Sequence, residues 1–222
     1  MYMTTLTSNP CADVVARLFA ESDASDARLA ELRRTVPESE QARLKASAGD
    51  FRQLYSRLKD FHLAVSRPTA SLLYILARSC RARSIIEFGT SFGVSTVHLA
   101  AALRDNGGGR VIGTEFEPAK AAQARQNITD AGLGDLVEIR EGDALETLVE
   151  GLPPAIDLVL LDGAKGLYPS VLSLLEANLH AGSLIVADNA DWSAEYLARV
   201  RDPASGFVTV PFAGDVELSM KV

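Results

Sequence analysis

Asp162-Gly163-Ala164-Lys165 and Asp188-Asn189 are the residues of this chain best suited to chemistry. Each group follows a short apolar, β-branched run: Ile156 to Leu161 before the first, Leu184 to Ala187 before the second. Two carboxylates and an amide oxygen make a hard, oxygen-only donor set. Such a set suits Mg²⁺ with positions left for water and substrate. Taken singly, Asp162, Asp188 and Asn189 are each better read as helix caps or turn formers. Taken together, at matching strand ends, they favour a metal. Lys165 lies three residues past Asp162. An ammonium beside a cation is costly unless its pKa falls, and a neutral lysine can take a proton from a metal-bound hydroxyl. The alternative is a solvent-facing loop lysine. His62, His98 and His180 show no ligand spacing, so they read as structural and zinc is not expected.

A second constellation lies upstream. Glu87-Phe88-Gly89-Thr90-Ser91-Phe92-Gly93-Val94-Ser95 joins a predicted strand to a predicted helix. Gly89 and Gly93 allow a tight turn and a close approach of the backbone to a ligand. Position 91 is Ser, so the dinucleotide pattern G-x-G-x-x-G is not met. Alone, this is equally a plain strand–helix turn. Glu115 follows 22 residues after Gly93, at the end of the next strand. A carboxylate there can accept both hydroxyls of a ribose. Asp143 ends the third strand, where it can face an adenine amine, cap a helix, or do both.

These positions need a scaffold that gathers strand ends. From residue 84 the chain alternates short strands with helical stretches. Strands are predicted at Ser84–Phe88, Arg110–Glu115, Leu136–Arg140, Ile156–Leu161 and Leu184–Ala187. Helices are predicted at Val94–Leu103, from Pro118 to before Gly132, at Ala144–Val149 and near Tyr168–Leu179. That order implies an α/β fold with a mainly parallel sheet and helices on both faces. Phe207–Phe212 and Val216–Val222 flank Ala213-Gly214-Asp215 and read as an antiparallel hairpin closing a seven-stranded sheet. Ligands in such sheets collect beyond the carboxyl ends of the strands.

Residues 1–80 read differently. Apolar residues recur there at helical spacing: Val14, Val15, Leu18, Phe19, then Leu29, Leu32, then Phe51, Leu54, Leu58, Phe61. Ser22 to Ser25 and Pro37-Glu38-Ser39 read as helix breaks with fresh caps, and Pro68 as the first turn of another helix. The organisation expected is a helical cap over 1–80 and a ligand-binding core over 81–222.

Composition narrows the function. The chain has 222 residues, 47% hydrophobic and 23% charged, which is globular rather than disordered. Net charge is −7, and no basic run exceeds pairs such as Arg33-Arg34, so nucleic-acid binding is not expected. Cys11 and Cys80 make no disulfide framework and suit a reducing cytoplasm. No apolar run approaches the roughly 18 residues of a membrane helix. Met1 to Pro10 has no signal pattern, so a cytoplasmic protein is expected.

Together, Glu87-x-Gly89-x-x-x-Gly93, Glu115, Asp162-x-x-Lys165 and Asp188-Asn189 resemble the cation-dependent, S-adenosylmethionine-dependent O-methyltransferases of catechol and caffeoyl-coenzyme A type. The resemblance covers about residues 66–222 and implies a Rossmann-like class I methyltransferase fold. It places Glu87 and the loop Gly89 to Gly93 against the methionine part of the cofactor, with Ser95 on its carboxylate. Glu115 would hold the ribose, and Asp143 with Ala144 would lie by the adenine. Asp162, Asp188 and Asn189 would bind the cation, Asp162 also touching the cofactor, and Lys165 would be the general base. The loop around Ser66 to Thr69 would close over cofactor and substrate. The acceptor would be a small catechol-like or phenolic molecule, and the protein a homodimer. The family often has a bulky residue before the lysine, whereas Ala164 and Gly166 are small. Trp192 and Tyr168 are then the aromatics left to wall an acceptor, unless both are core. Asp215 reads as a turn residue, with Asp215 or Glu217 able to bind a substrate hydroxyl.

Three other readings stand beside this one. A metal-independent methyltransferase would keep the cofactor and lose the need for Asp162 and Asp188. A nicotinamide-dependent oxidoreductase also uses a ribose-binding carboxylate, but the glycine pattern and Asp188-Asn189 argue against it. A non-catalytic nucleoside-binding module would bind without turnover.

Overall fold

The computed structural model describes residues 3–35 and 58–222. The sheet has seven strands: β1 (Ser84–Phe88), β2 (Arg110–Glu115), β3 (Val137–Glu141), β4 (Ile156–Leu161), β5 (Leu179–Ala187), β6 (Phe207–Phe212) and β7 (Val216–Lys221). Their order is β3-β2-β1-β4-β5-β7-β6. The first five run parallel, and β7 pairs antiparallel with both β5 and β6. The order switches between β1 and β4, so a crevice opens there at the strands' carboxyl ends.

Among the described residues the α-helices are α1 (Cys11–Thr35), α2 (Arg67–Ser79), α3 (Val94–Asp105), α4 (Pro118–Asp130), α5 (Ala144–Thr147), α6 (Tyr168–Leu175) and α7 (Ala194–Arg201). Alternation along the strands supplies two cores. Ile85, Leu158 and Leu160 face α1 to α4, where Leu18, Leu73, Leu99 and Ile128 are buried. Ile86, Val159 and Leu161 face α5 to α7, where Leu148, Leu172 and Val200 are buried. α1 therefore shares its core with one face of the sheet.

Local chemistry explains the helix starts. Ser66 caps α2, its Oγ accepting from the Thr69 N–H, with Pro68 in the first turn. Gly93, at φ +92°, turns the chain into α3.

Several expectations are corrected. The break expected at Ser22 to Ser25 does not occur, because α1 runs unbroken through both serines. Both are buried, and the Ser25 Oγ accepts from the His62 N–H at 2.8 Å. The hydroxyl serves a tertiary contact instead of competing for its own helix. Leu58 to Asp60 form a turn, not a helix; Phe51, Leu54 and the Pro37-Glu38-Ser39 break lie outside the described residues. The helix from Tyr168 ends at Leu175 and tightens into a 3₁₀ turn over Glu176–Asn178. α7 is an addition to the expected elements, since eight residues with Tyr196 and Val200 as the buried pair give little periodic signal. No helix among the described residues is long and apolar enough to cross a membrane.

Candidate active site

A cavity of about 580 Å³ lies beyond the carboxyl ends of β1, β2, β4 and β5. α1 and the segment from His62 to Pro68 form its other wall, through Phe19, Asp23, Asp26 and Arg67. Gly89, Glu115, Asp143, Ala144, Asp162, Lys165, Asp188 and Asn189 all line it. Residues from distant parts of the sequence thus share one crevice. Carboxylates outnumber basic side chains among its lining residues, an environment suited to cationic ligands.

Gly89 shows how tightly the crevice is built. Its φ is +99°, and a Cβ there would stand 2.7 Å from the Gly163 nitrogen and 2.8 Å from the Asp162 carbonyl oxygen. Both obstacles are backbone, so neither swings away. Gly89→Ala is expected to cost about 1–3 kcal/mol of stability and to weaken ligand binding. Thermal unfolding and calorimetry check this; an unchanged melting temperature would show that the strands separate easily.

Glu115 is oriented from both sides. Its Oε2 accepts from the Ser91 N–H at 2.7 Å and its Oε1 from the Glu117 N–H at 2.8 Å. The carboxylate therefore ties the glycine loop to the end of β2 while facing the cavity. Asp143 caps α5, its Oδ1 accepting from the Leu145 N–H at 2.9 Å, and it also lines the cavity.

The remaining loop residues are placed differently. Gly93 packs against Ala124 and Ile128 of α4, so it shapes the turn behind the cavity. Ser95 lines a small side recess with Gly89, Ser91 and Asp162. Glu87 is fully buried behind the loop, and its Oε2 accepts from the hydroxyls of Thr90 at 2.9 Å and Thr96 at 2.6 Å. Burial pushes its carboxyl up to about 7, against the pull of the Ser95, Thr96 and Thr90 hydroxyls.

Buried polar atoms are normally paired. Around this loop Glu87 Oε1, Ser91 Oγ and His62 Nδ1 are buried without a partner among the described residues. A ligand with an amino-acid end carries both a cation and an anion for such atoms. The loop therefore fits the methionine part of S-adenosylmethionine.

At the other end, Lys165 Nζ donates to Asp162 Oδ1 at 2.8 Å, with both side chains about one-tenth exposed (9% and 10%). The Asp188 carboxyl neighbours that of Asp162, and both line the cavity. Burial, then the neighbouring Asp162 charge, pushes Asp188 up to about 8. Asp162 is also raised by burial, with Lys165 opposing. Two buried carboxyls side by side, each raised, are an arrangement that a divalent cation relieves. Asn189 stands in the left-handed region at φ +47°, and its amide nitrogen lies 3.3 Å from Asp215 Oδ2, leaving its carbonyl oxygen as a donor to a cation. Among the described residues no three His, Cys, Asp or Glu side chains converge on one metal-sized point. The candidate set thus depends on the Asn189 amide.

Four residues gain importance from the structure. His62, structural by its sequence context, lines the cavity and stacks on Phe92, ring centroids 3.9 Å apart and nearly parallel at 11°. Lys120 is buried in the cavity wall with its ammonium 5.3 Å from the Phe92 ring centroid. Burial lowers its pKa, with Glu115 and Glu117 opposing. Asp215 lines the cavity beside Asn189. Trp192, 41% exposed, lines it too. Tyr168 does not: it is fully buried in the core, so it walls no acceptor. Glu217 is likewise an internal brace. Arg201 donates to its two carboxylate oxygens at 2.9 and 2.6 Å, and Thr209 to one of them at 2.8 Å.

A mainly parallel sheet with a reversed last strand, and a crevice at its switch point, make up the Rossmann-like fold that methyltransferases use. A family model described as "Methyltransferase domain" matches residues 86–190. A catechol O-methyltransferase from Niastella koreensis is 39% identical over 131 residues, covering 57% of this chain and 58% of that protein. One from Mycobacterium tuberculosis is 34% identical over 140 residues, 63% of each. The crystal structure of an O-methyltransferase of tomaymycin synthesis from Streptomyces achromogenes, in complex with S-adenosylmethionine, superposes with a TM-score of 0.65 at 25% identity, covering 90% of this chain and 96% of that one. By these comparisons the chain is similar to S-adenosylmethionine-dependent O-methyltransferases, catechol O-methyltransferases among them. It matches less than two thirds of the length of either curated relative.

Proposed function

We propose that this chain moves a methyl group from S-adenosylmethionine to a hydroxyl of a small, catechol-like acceptor, with the help of a divalent cation such as Mg²⁺. The observation that carries the reading is one crevice that joins the glycine loop and Glu115 to the Asp162, Asp188, Asn189 and Lys165 cluster. The names of the two curated relatives support the acceptor class.

Each residue then has a role. Glu87, Ser91 and Ser95 receive the amino-acid end of the cofactor, with Gly89 and Gly93 shaping the loop. Glu115 accepts from the ribose, and Asp143 with Ala144 borders the adenine. Asp162, Asp188 and Asn189 hold the cation, which when bound acts as a Lewis acid toward the acceptor oxygen. Lys165 is the general base. Its ammonium is held by Asp162; once that carboxylate is satisfied in another way the lysine gives its own proton to solvent, and the neutral amine can take the acceptor's proton. Fixed donors and excluded water give most of the acceleration, through alignment and charge stabilisation. Residues 1–80 act as the acceptor-selecting cap, in keeping with the side chains that α1 places on the cavity wall. The protein works in a reducing compartment such as the cytoplasm, in keeping with the free thiols of Cys11 and Cys80. A homodimer is part of the same reading, and light scattering tests it.

The deciding experiment is calorimetry with S-adenosylmethionine, followed by methyl transfer to a catechol panel with Mg²⁺ and with a chelator. Binding plus chelator-sensitive turnover is expected; no binding would overturn the reading. The direct Lys165–Asp162 ion pair favours one alternative, in which Asp162 serves the lysine and not a cation. A metal-independent methyltransferase of that kind would turn over equally well with the chelator present.

A further inference from the structure

Tyr168 takes no part in the cavity wall, yet its hydroxyl sits between two of the proposed catalytic loops. The ring is fully buried at the start of α6. It meets Phe88 edge-on at 6.2 Å and Tyr196 edge-on at 5.7 Å between centroids. The hydroxyl donates to the Asp188 carbonyl oxygen at 2.8 Å. A phenol has one proton to donate. With that proton committed to Asp188, the oxygen can only accept on its other side, and the Lys165 ammonium stands over the same ring as the donor available to it. The ammonium lies 5.4 Å from the ring centroid.

We infer that Tyr168 is a positioning residue, which locks Lys165 against Asp162 and ties the loop after β4 to the end of β5. This rests on the methyltransferase reading only for the consequence it has on rate. A lysine carries about 2 kcal/mol of rotamer entropy. One ion pair leaves its long stem able to swing. A second anchor, on a hydroxyl that is itself held by Asp188, fixes the nitrogen relative to both carboxylates. The rigidity comes from the core, because the phenol is clamped between Phe88 and Tyr196.

Tyr168→Phe keeps the ring contacts and removes only the hydroxyl. It is expected to lower kcat by roughly 10- to 100-fold, the usual effect of removing a supporting hydrogen bond behind a functional side chain. KM for S-adenosylmethionine and its calorimetric affinity should stay unchanged. In a Lys165→Met background the same substitution should have almost no further effect, because Tyr168 acts through Lys165. A merely structural role would instead multiply the two losses. A readout independent of turnover is acylation of Lys165 by acetic anhydride, mapped by mass spectrometry with Lys120 as the internal reference. Lys165 should label faster in Tyr168→Phe than in the wild type. Wild-type kcat with unchanged Lys165 labelling would overturn the inference. Faster labelling in a protein that methylates no acceptor would uphold the positioning of Lys165 while removing the methyltransferase reading.

Discussion

Replacing Lys165 with methionine is expected to slow methyl transfer by roughly 10²- to 10⁴-fold, the range for a positioned general base, with S-adenosylmethionine affinity close to that of the wild type. The split follows from where the residue stands. Lys165 contacts Asp162 at one end of the crevice, whereas Glu87, Ser91 and Glu115 line or support the other. Methionine matches the length of the stem and keeps its packing against Tyr168. It also leaves Asp162 without the ammonium that opposes burial, so the Asp162 carboxyl is pushed further up. Lys165→Arg separates the two effects. An arginine keeps the positive charge but cannot give up its proton in a protein. If Lys165 is the base, the arginine variant should be as slow as the methionine one. If charge alone matters, the arginine variant should recover most of the rate. Steady-state kinetics and calorimetry on both variants decide. Wild-type kcat in Lys165→Met would remove the base assignment.

How much of this site is legible in the chain depends on which contacts are set by topology and which by side-chain packing. Asp162, Asp188 and Glu115 are legible because each closes a β-branched run, and parallel strands deliver their ends to one side. Asp215 is not, because its place depends on register. β7 pairs antiparallel with β5, with Ala187 opposite Glu217, and continuing that register sets Asn189 beside Asp215. A turn residue and a strand-end residue thereby become neighbours. Ser22 and Ser25 mislead because a serine in a helix looks like a break until its hydroxyl has a partner. For Ser25 that partner, the His62 N–H, lies 37 residues further on. Tyr168 and Trp192 are indistinguishable as aromatics after strand ends, yet one is core and the other lines the cavity. Nothing in spacing separates them, since tertiary packing alone decides which ring is covered. Lys120 and His62 escape for a similar reason. Lone charged or polar residues in amphipathic stretches usually face water, whereas these two meet the Phe92 ring, a contact that only the tertiary fold creates.

Glu87 carries the second large prediction. A carboxyl whose value is raised from 4.5 in the open chain to about 7 in the fold is a burden once it ionises. Between those two values the native state binds more protons than the unfolded one. Stability therefore falls as pH rises from about 4.5, and the loss is complete once pH passes about 7. The size of the effect is about 3 kcal/mol, because each tenfold change in proton affinity is worth about 1.36 kcal/mol. Glu87→Gln keeps an oxygen for the Thr90 and Thr96 hydroxyls and has no proton to lose. The stability of the variant relative to wild type should thus improve by about 3 kcal/mol between pH 4.5 and pH 8, then level off. Urea unfolding of both proteins across that range measures it. Asp188, which is also raised, titrates in both and cancels in the difference. A gap that does not change with pH would show that Glu87 ionises freely, and would remove the case for a strained carboxylate behind the glycine loop. With S-adenosylmethionine present the gap should narrow at pH 8, because a cationic ligand beside Oε1 stabilises the ionised form. The same residue that weakens the fold above neutral pH would then be a source of affinity for a sulfonium and an ammonium, which is a physical reason for a carboxylate on a fully buried central strand.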